Sequence, residues 1–403
     1  MRRIAWAIRV LFVLAAASAG WLYFEWKVPY RGYSGEAAVV NVARGASTHQ
    51  IARQLAGKGV VRSALAFELW SRWRHARSLE AGEYRFARAM TPPEVFDKIA
   101  SGRVWTVSLT VPEGWTMFDI AAAVQRAGLA SRAAFLRAAR NPAAIRDLAP
   151  TAPTLEGFLF PATYEFPHRT SAQAIVRAMV GRFREAWAQA TQNDAPPKSL
   201  TLEQVVTLAS LVQEETPKES ERPIIAGVFA NRLRLGYPLE CDPSVVYALK
   251  LKGEYDGKLV PADLKIHSSY NTYRHYGLPP GPIGNPGMAS LEAALSPARV
   301  DYLYFVANGK GGHVFSRTFA GQQRNIQQYR QLLRREQEEQ KRNGATGESS
   351  GKETRARIPG RDAAAVAYHP RRGAFDDQRI RRRQERNDSG GRAAARRQHL
   401  HLG

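Results

Sequence analysis

The sequence predicts an α+β protein: an N-terminal transmembrane helix, then a small α/β module, then a mainly helical domain with a small β-sheet. Three observations carry this expectation. Ile4–Phe24 is an apolar run of 21 residues charged only at Arg9. Between residues 39 and 104, segments of period two alternate with segments of period 3.6. Beyond residue 105 helical periodicity dominates, with one hairpin pattern at residues 302–316.

The N-terminal run is long enough to cross a hydrocarbon core of about 30 Å. Arg2 and Arg3 precede it, which orients the N-terminus to the cytoplasm and the bulk of the chain outside. Ala17-Ser18-Ala19 also fits a signal-cleavage site. Trp21, Tyr23, Phe24 and Trp26 cluster at the outer edge as interfacial aromatics do, which favours a retained anchor. Residues 1–31 are therefore expected to form anchor and linker, with Gly32–Val39 a short tether.

Residues 32–104 read as the α/β module. Val39–Val42 is a strand, and Ser47 or Thr48 caps a helix carrying Ile51 and Leu55. Leu65–Trp73 is a second helix. Leu79–Phe86 alternates like a strand, and Pro92 opens a third helix carrying Val95, Phe96 and Ile99. In residues 105–340, Thr106–Val111 is a strand and Met117–Ala127 a helix, with helical patterns continuing to Asp147. Glu156–Phe166 is aromatic and turn-rich. Helices follow at Ala174–Ala190, Leu202–Thr216 and Ile224–Leu235, the last stopped by Gly236. Asp263–Asn285 reads as a long ordered loop, Leu291–Ser296 as a helix, Tyr302–Val306 and His313–Ser316 as a hairpin, and Asn325–Glu339 as the terminal helix. Residues 341–403 are poor in apolar side chains and are expected to be a disordered basic tail.

The formal net charge is +22, and residues 336–403 contribute 16 Lys and Arg against 10 Asp and Glu. Nucleic acid is the usual partner of so basic a chain; an anionic lipid surface or an acidic wall polymer serves equally well. The single cysteine, Cys241, excludes an intramolecular disulfide and any multi-cysteine metal site. The nine His show no metal-ligand spacing, and Gly309-Lys310-Gly311-Gly312 lacks the spacing of a phosphate loop. No metal, no cofactor and no nucleic-acid partner are expected.

Chemistry is concentrated in two places. Helix Leu202–Thr216 ends in Gln213-Glu214-Glu215. Four and seven residues before Glu215 stand Leu211 and Leu208; the same steps from Glu214 give Ser210 and Thr207. Glu215 is thus expected to face the core and Glu214 solvent. A carboxylate among apolar groups has a raised pKa and can hold a proton near neutrality. The competing reading is a helix-end Glu paired with Arg222 or Arg232. The second place comprises Asp242-Pro243, Tyr270-Asn271-Thr272-Tyr273 and the Pro/Gly-rich segment Pro279–Gly287, which contains Ile283 and Asn285. Its rings can stack on sugar faces and its Asn, Thr and Asp can bind hydroxyls and acetamides; a rigid structural loop is the alternative.

Leu208-Ala209-Ser210-Leu211-Val212-Gln213-Glu214-Glu215-Thr216, Ser220-Glu221-Arg222, Val228–Leu233, Leu239–Tyr247, Ser269–Tyr273, Gly277–Ile283 and Leu303–Phe315 together resemble the endolytic murein transglycosylases, the YceG-like family. The resemblance covers roughly residues 1–335. It implies one membrane anchor, a LysM-like module at residues 32–104, and a catalytic domain over 105–340. It also implies a lytic transglycosylase cutting the MurNAc–GlcNAc β-1,4 bond of nascent strands to leave 1,6-anhydro-MurNAc ends. By motif position the one catalytic Glu is Glu215, with Asp242, Tyr270, Asn271, Thr272, Tyr273, Ile283 and Asn285 on the substrate side. Family members often carry an acid where this chain has Gln213, so Gln213 is not the acid. The implied location is the inner (cytoplasmic) membrane, single-pass, with the catalytic domain on the extracytoplasmic side. The implied partners are peptidoglycan strands, the membrane and peptidoglycan synthases. Two other functions fit the same letters: a non-catalytic peptidoglycan-binding scaffold, and a water-using muramidase with Asp242 or Glu240 as second carboxylate.

Overall fold

The computed structural model describes residues 2–74, 78–192, 196–197 and 199–345. The chain divides into two compact units. The first comprises residues 1–109, 127–129 and 164–170; the second holds the remainder.

The first unit begins with α1 (Arg2–Lys27), a helix long and apolar enough to cross a bilayer by length and composition. It continues through β1 (Ala38–Val42), α2 (Thr48–Gly57), α3 (Ala64–Trp73), β2 (Gly82–Phe86) and α4 (Pro92–Ala100). β1 and β2 pair antiparallel with Val40 opposite Tyr84. Alternate residues of β1, Ala38, Val40 and Val42, face inward, the period-two burial of a strand with one wet side. They pack with Ile51, Leu55, Phe67, Phe86, Phe96 and Ile99 into one core. Ser47 with Gln50, and Thr91 with Glu94, form capping boxes that satisfy the first amides of α2 and α4.

The expected tether is not free. Tyr30 and Met90 exchange backbone hydrogen bonds of 3.0 and 3.2 Å, and the Gly32 amide donates to Gly59 O at 2.8 Å. Gly59 has φ +68, and a Cβ there would stand 2.6 Å from the Gly32 carbonyl carbon. Only glycine permits both the left-handed backbone and the close approach. The last turn of α1 is docked as well: Trp26 Nε1 donates to Ala66 O at 2.9 Å, and its ring meets Trp70 edge-on at 5.2 Å. Trp26 is therefore committed to the module, while Tyr23 stays 67% exposed. Glycine and polar residues suggested slack chain; backbone pairing with a distant segment removes it.

A two-stranded ribbon pairs β3 (Thr106–Thr110) with β4 (Thr163–Pro167), a strand hidden in the turn-rich Glu156–Phe166 segment. Beside it His168 stacks on Trp105 at 3.9 Å and approaches Glu83 at 2.6 Å.

The second unit contains α5 (Met117–Arg126), α6 (Arg132–Ala139), α7 (Ala172–Ala190), α8 (Leu202–Glu215), α9 (Arg222–Leu235), α10 (Asp242–Lys252) and α11 (Met288–Leu295). A hairpin of β5 (Tyr304–Ala307) and β6 (His313–Ser316) follows, then α12 (Phe319–Ala345). The helical pattern up to Asp147 resolves into α6 and a short 3₁₀ turn at Pro142–Ala144. α8 is capped by a Thr201–Gln204 box and packs against α9, α10 and α11. Over residues 205–212 it is buried on every face: Val205, Leu208 and Leu211 are 0% exposed, and Thr207 and Ser210 only 1%. The Thr207–Ser210 line is therefore not a solvent face. Thr207 Oγ1 donates to Glu203 O at 2.7 Å and Ser210 Oγ to Thr207 O at 2.7 Å, so each hydroxyl is satisfied by its own helix. α10 was not expected; Pro243 beside Asp242 opens a helix instead of marking a loop. The disorder expected from residue 341 lies, from residue 346, outside the described residues, and residues 341–345 belong to α12.

Candidate active site

The C-terminal end of α8 meets the N-terminal end of α10. Glu215 is half-buried, and its carboxyl is pushed up to about 7, first by burial. A hydrogen bond from the Cys241 thiol and the positive Arg232 pull the other way, while Asp242 and Glu214 add repulsion. Cys241 is fully buried and its thiol is held well above its ordinary range, so it stays a neutral donor to Glu215. Arg232 is engaged elsewhere than with the Glu215 carboxylate. Its Nε donates to Leu303 O at 2.7 Å, its Nη1 to Leu239 O at 2.8 Å, and it reaches Glu240 at 3.3 Å. The helix-end ion pair offered as the alternative for Glu215 is not formed with Arg222 either, which bonds Glu113 at 3.1 Å.

Asp242 lies in the first turn of α10 and is 7% exposed. Burial moves its carboxyl up to about 6, against the hydrogen bond from Tyr273 Oη at 2.7 Å. Tyr273 is in turn held well above the usual phenol range, by burial and then by the neighbouring Asp242 charge.

Glu214 is exposed to solvent, as the helical spacing indicated. Protein nevertheless crowds its carboxyl, and burial pushes it up to about 7, with Lys250 opposing and Asp119 reinforcing. The Glu113-Gly114-Trp115 turn stands beside that carboxyl. A Cβ on Gly114 would lie 2.4 Å from Glu214 Oε1, and Gly114 has φ +81. The turn is fixed to the Pro/Gly-rich loop by Gly114 N to Asn285 O at 2.8 Å and Asn285 N to Trp115 O at 3.0 Å.

The structure brings Glu215, Asp242 and Tyr273 together. Asn271, Thr272, Ile283 and Asn285 are buried, each with polar atoms bonded within the protein. Asn271 is 0% exposed; its Nδ2 donates to Leu264 O and Ile266 O, and its Oδ1 accepts from Tyr273 N. Thr272 Oγ1 accepts from Cys241 N at 2.9 Å and pairs with Ser244 Oγ. Ile283 is buried and its amide donates to Ser210 Oγ at 3.0 Å. Tyr270 is partly exposed and packs its ring 5.0 Å from Tyr247. Gln213 Oε1 accepts from Gly287 N and Ser290 Oγ, which ties α8 to the start of α11.

Glu156 was not among the expected site residues. It is 2% exposed, and burial pushes its carboxyl up to about 8. Met117 N donates to it at 2.9 Å and Asn285 Nδ2 at 2.8 Å, and Tyr247 Oη completes the set. A lone acid inside an aromatic, turn-rich segment was the available clue. Among the described residues no group of three or more His, Cys, Asp or Glu could hold a metal ion.

This arrangement offers a half-buried carboxyl, Glu215, that can donate a proton near neutral pH. Comparison with known proteins adds the following. The family model described as the YceG-like family matches residues 40–328. An endolytic murein transglycosylase of Bacillus subtilis is 34% identical over 295 residues, covering 69% of this chain and 81% of that protein. One of Streptococcus pneumoniae is 29% identical over 345 residues, and the chain spans 62% of its length. The crystal structure of a yceG-like protein of Listeria monocytogenes aligns with TM-score 0.48 and 32% identity, over 72% of this chain and 99% of that one. With a family model spanning most of its length and a relative above 30% identity, the chain belongs to the YceG-like family.

Proposed function

We propose that this chain is a membrane-anchored lytic transglycosylase that cuts peptidoglycan glycan strands internally, with Glu215 as acid and then base. The observation that carries the reading is Glu215 itself: a carboxyl held near pKa 7 at the end of a buried helix, supported by the neutral Cys241 thiol and beside Asp242. The naming of relatives as endolytic murein transglycosylases supports the substrate and reaction class.

In the proposed step, protonated Glu215 gives its proton to the glycosidic oxygen between MurNAc and GlcNAc as the C1–O bond breaks through an oxocarbenium-like state. The Glu215 carboxylate then takes the proton of the MurNAc C6 hydroxyl as that oxygen bonds to C1. The products are a GlcNAc hydroxyl end and a 1,6-anhydro-MurNAc end, with no water consumed. The tethered hydroxyl acts at an effective concentration on the order of 10⁵ M or more, so one carboxylate suffices. Asp242 and Tyr273 form the polar wall that places the sugar, while Asn271, Thr272, Ile283 and Asn285 hold the loops that carry that wall.

A second reading, a water-using muramidase, draws on Asp242 as a second carboxylate. Asp242 already accepts a hydrogen bond from Tyr273 Oη, which commits that carboxyl to positioning and favours the first reading. Mass spectrometry of digested sacculi decides. Anhydro ends establish the transglycosylase, reducing ends the muramidase, and intact strands a binding scaffold.

The anchor reading uses α1 as a retained single span with the bulk of the chain outside the inner membrane. The order β1-α2-α3-β2 with antiparallel pairing supports a LysM-like module. With the exit of α1 docked on that module, the module is held at the membrane surface where new strands emerge. Peptidoglycan synthases are the partner class expected there.

A further inference from the structure

The first unit contains a cavity of about 600 Å³, lined by Arg85, Arg88, Lys98 and Arg103 and by the two acids Glu94 and Asp97. It is an open hollow, and Arg85, Arg88 and Arg103 are exposed at its surface. Arg88 is paired with Glu94 at 3.0 Å, and Asp97 lies 3.7 Å from Arg74. Among the described residues, Arg85, Lys98 and Arg103 have no carboxylate partner. Lys98 is held below its ordinary range, first by burial and then by repulsion from Arg103, Arg88 and Arg85. Lys98 Nζ donates only to a neutral group, Arg85 O, and lies 5.0 Å from the Phe86 ring centroid; Arg85 itself stands 5.7 Å from the Trp105 ring centroid. The cavity thus holds uncompensated positive charge in a concave wall, which selects an anion.

Its place in the fold selects the anion's source. Met90 lines the cavity and exchanges both backbone hydrogen bonds with Tyr30, just past the end of α1 at Lys27. Tyr33 Oη donates to Arg88 O at 3.2 Å. From the last turn of α1, rings step outward: Trp26 to Trp70 at 5.2 Å, Trp70 to Trp73 at 4.9 Å. Trp73 is 62% exposed and precedes Arg74, the partner of Asp97 in the cavity wall. An exposed indole beside a basic hollow at a helix exit is the composition of a bilayer interface.

We propose that this cavity binds the phosphate of an anionic phospholipid headgroup, with Arg85, Lys98 and Arg103 as its donors. The cavity belongs to the first unit and the carboxylate cluster around Glu215 to the second. The choice of a lipid rests on the reading of α1 as a retained anchor.

The test uses the full chain in neutral detergent micelles, with native mass spectrometry as readout. Phosphatidylglycerol, phosphatidylcholine and inorganic phosphate are the probes. Phosphatidylglycerol is expected to bind at least tenfold more tightly than phosphatidylcholine. The double variant Arg85→Gln/Arg103→Gln leaves Lys98 and its packing in place. It should weaken phosphatidylglycerol binding by roughly thirty-fold at the usual contribution of a basic residue near an anionic surface. Arg44→Gln/Arg53→Gln removes two exposed charges elsewhere in the same unit and should leave that binding within about twofold. Equal losses in the two double variants would reduce the effect to diffuse charge and overturn the site. Inorganic phosphate binding as tightly as phosphatidylglycerol would overturn the lipid assignment. Carbonate extraction of cell membranes tests the anchor separately. A carbonate-soluble chain removes the anchor reading, whereas an integral chain without phosphatidylglycerol selectivity removes only the cavity's.

Discussion

Asn285 donates through Nδ2 to Glu156 Oε1 at 2.8 Å while its Oδ1 takes the Leu159 amide at 2.8 Å. One amide side chain thus joins the Pro/Gly-rich loop to the Glu156 segment, and Glu156 passes the connection to the start of α5 through Met117 N.

Glu156→Gln should preserve these bonds, since a Gln oxygen accepts from Met117 and Asn285 and its amide faces Tyr247. Glu156→Ala should cost about 2–4 kcal/mol, because buried donors lose their acceptor. The two variants also differ from wild type in pH dependence. The folded carboxyl is raised to about 8 against an ordinary 4.5, so the native state binds more protons than the unfolded state between those values. Wild-type stability should therefore fall as pH rises from about 4.5 to 8, by up to about 1.4 kcal/mol per unit. Glu156→Gln should flatten that slope in chemical denaturation series. An unchanged slope would remove Glu156 as its source.

Glu215→Gln should abolish glycan cutting by at least about 10³-fold while leaving the melting temperature within a few degrees. In the wild type the acid form is lost as pH passes about 7, so cutting should decline on the alkaline side of neutrality. Activity of Glu215→Gln within tenfold of wild type excludes the assignment.

Glu214→Gln should be mild in rate but visible in the pH profile. Glu214 repels charge on Glu215 and raises its pKa. Its removal should move the alkaline limb to lower pH, by less than about one unit. A shift to higher pH would contradict the placement of the two carboxyls.

Gly114→Ala forces a Cβ within 2.4 Å of Glu214 Oε1 and strains a backbone at φ +81. A stability loss of about 1–2 kcal/mol and a several-fold loss of cutting are expected, measured by thermal melts and muropeptide release. Gly128→Ala, also at φ +70 but with open space around it, isolates the backbone contribution.

What the sequence could show depended on how local the cause was. α8 was legible because its Thr201–Gln204 cap and apolar periodicity lie within one helix. Its Thr207 and Ser210 misled, because a hydroxyl that bonds back to its own helix is polar in letter and buried in fact. α10 was hidden by Pro243, which serves a first turn as well as a loop. Glu156 escaped because its burial is completed by Asn285, 129 residues away. Asn271 and Thr272 were legible as a polar pair but not as scaffold, since their partners come from other segments. The tether after α1 looked slack because its pairing partners, Gly59 and Met90, are remote in sequence.

The docked exit of α1 has a mechanical consequence. A helix turns about 100° per residue, and here no swivel separates that rotation from the module beyond it. On the proposed anchor reading, whatever grips α1 in the bilayer sets the compass heading of the module, and the basic cavity turns with it as a key turns with its shaft. A single residue inserted in mid-helix would swing that heading by about 100°, whereas seven would bring it back to within about 20°.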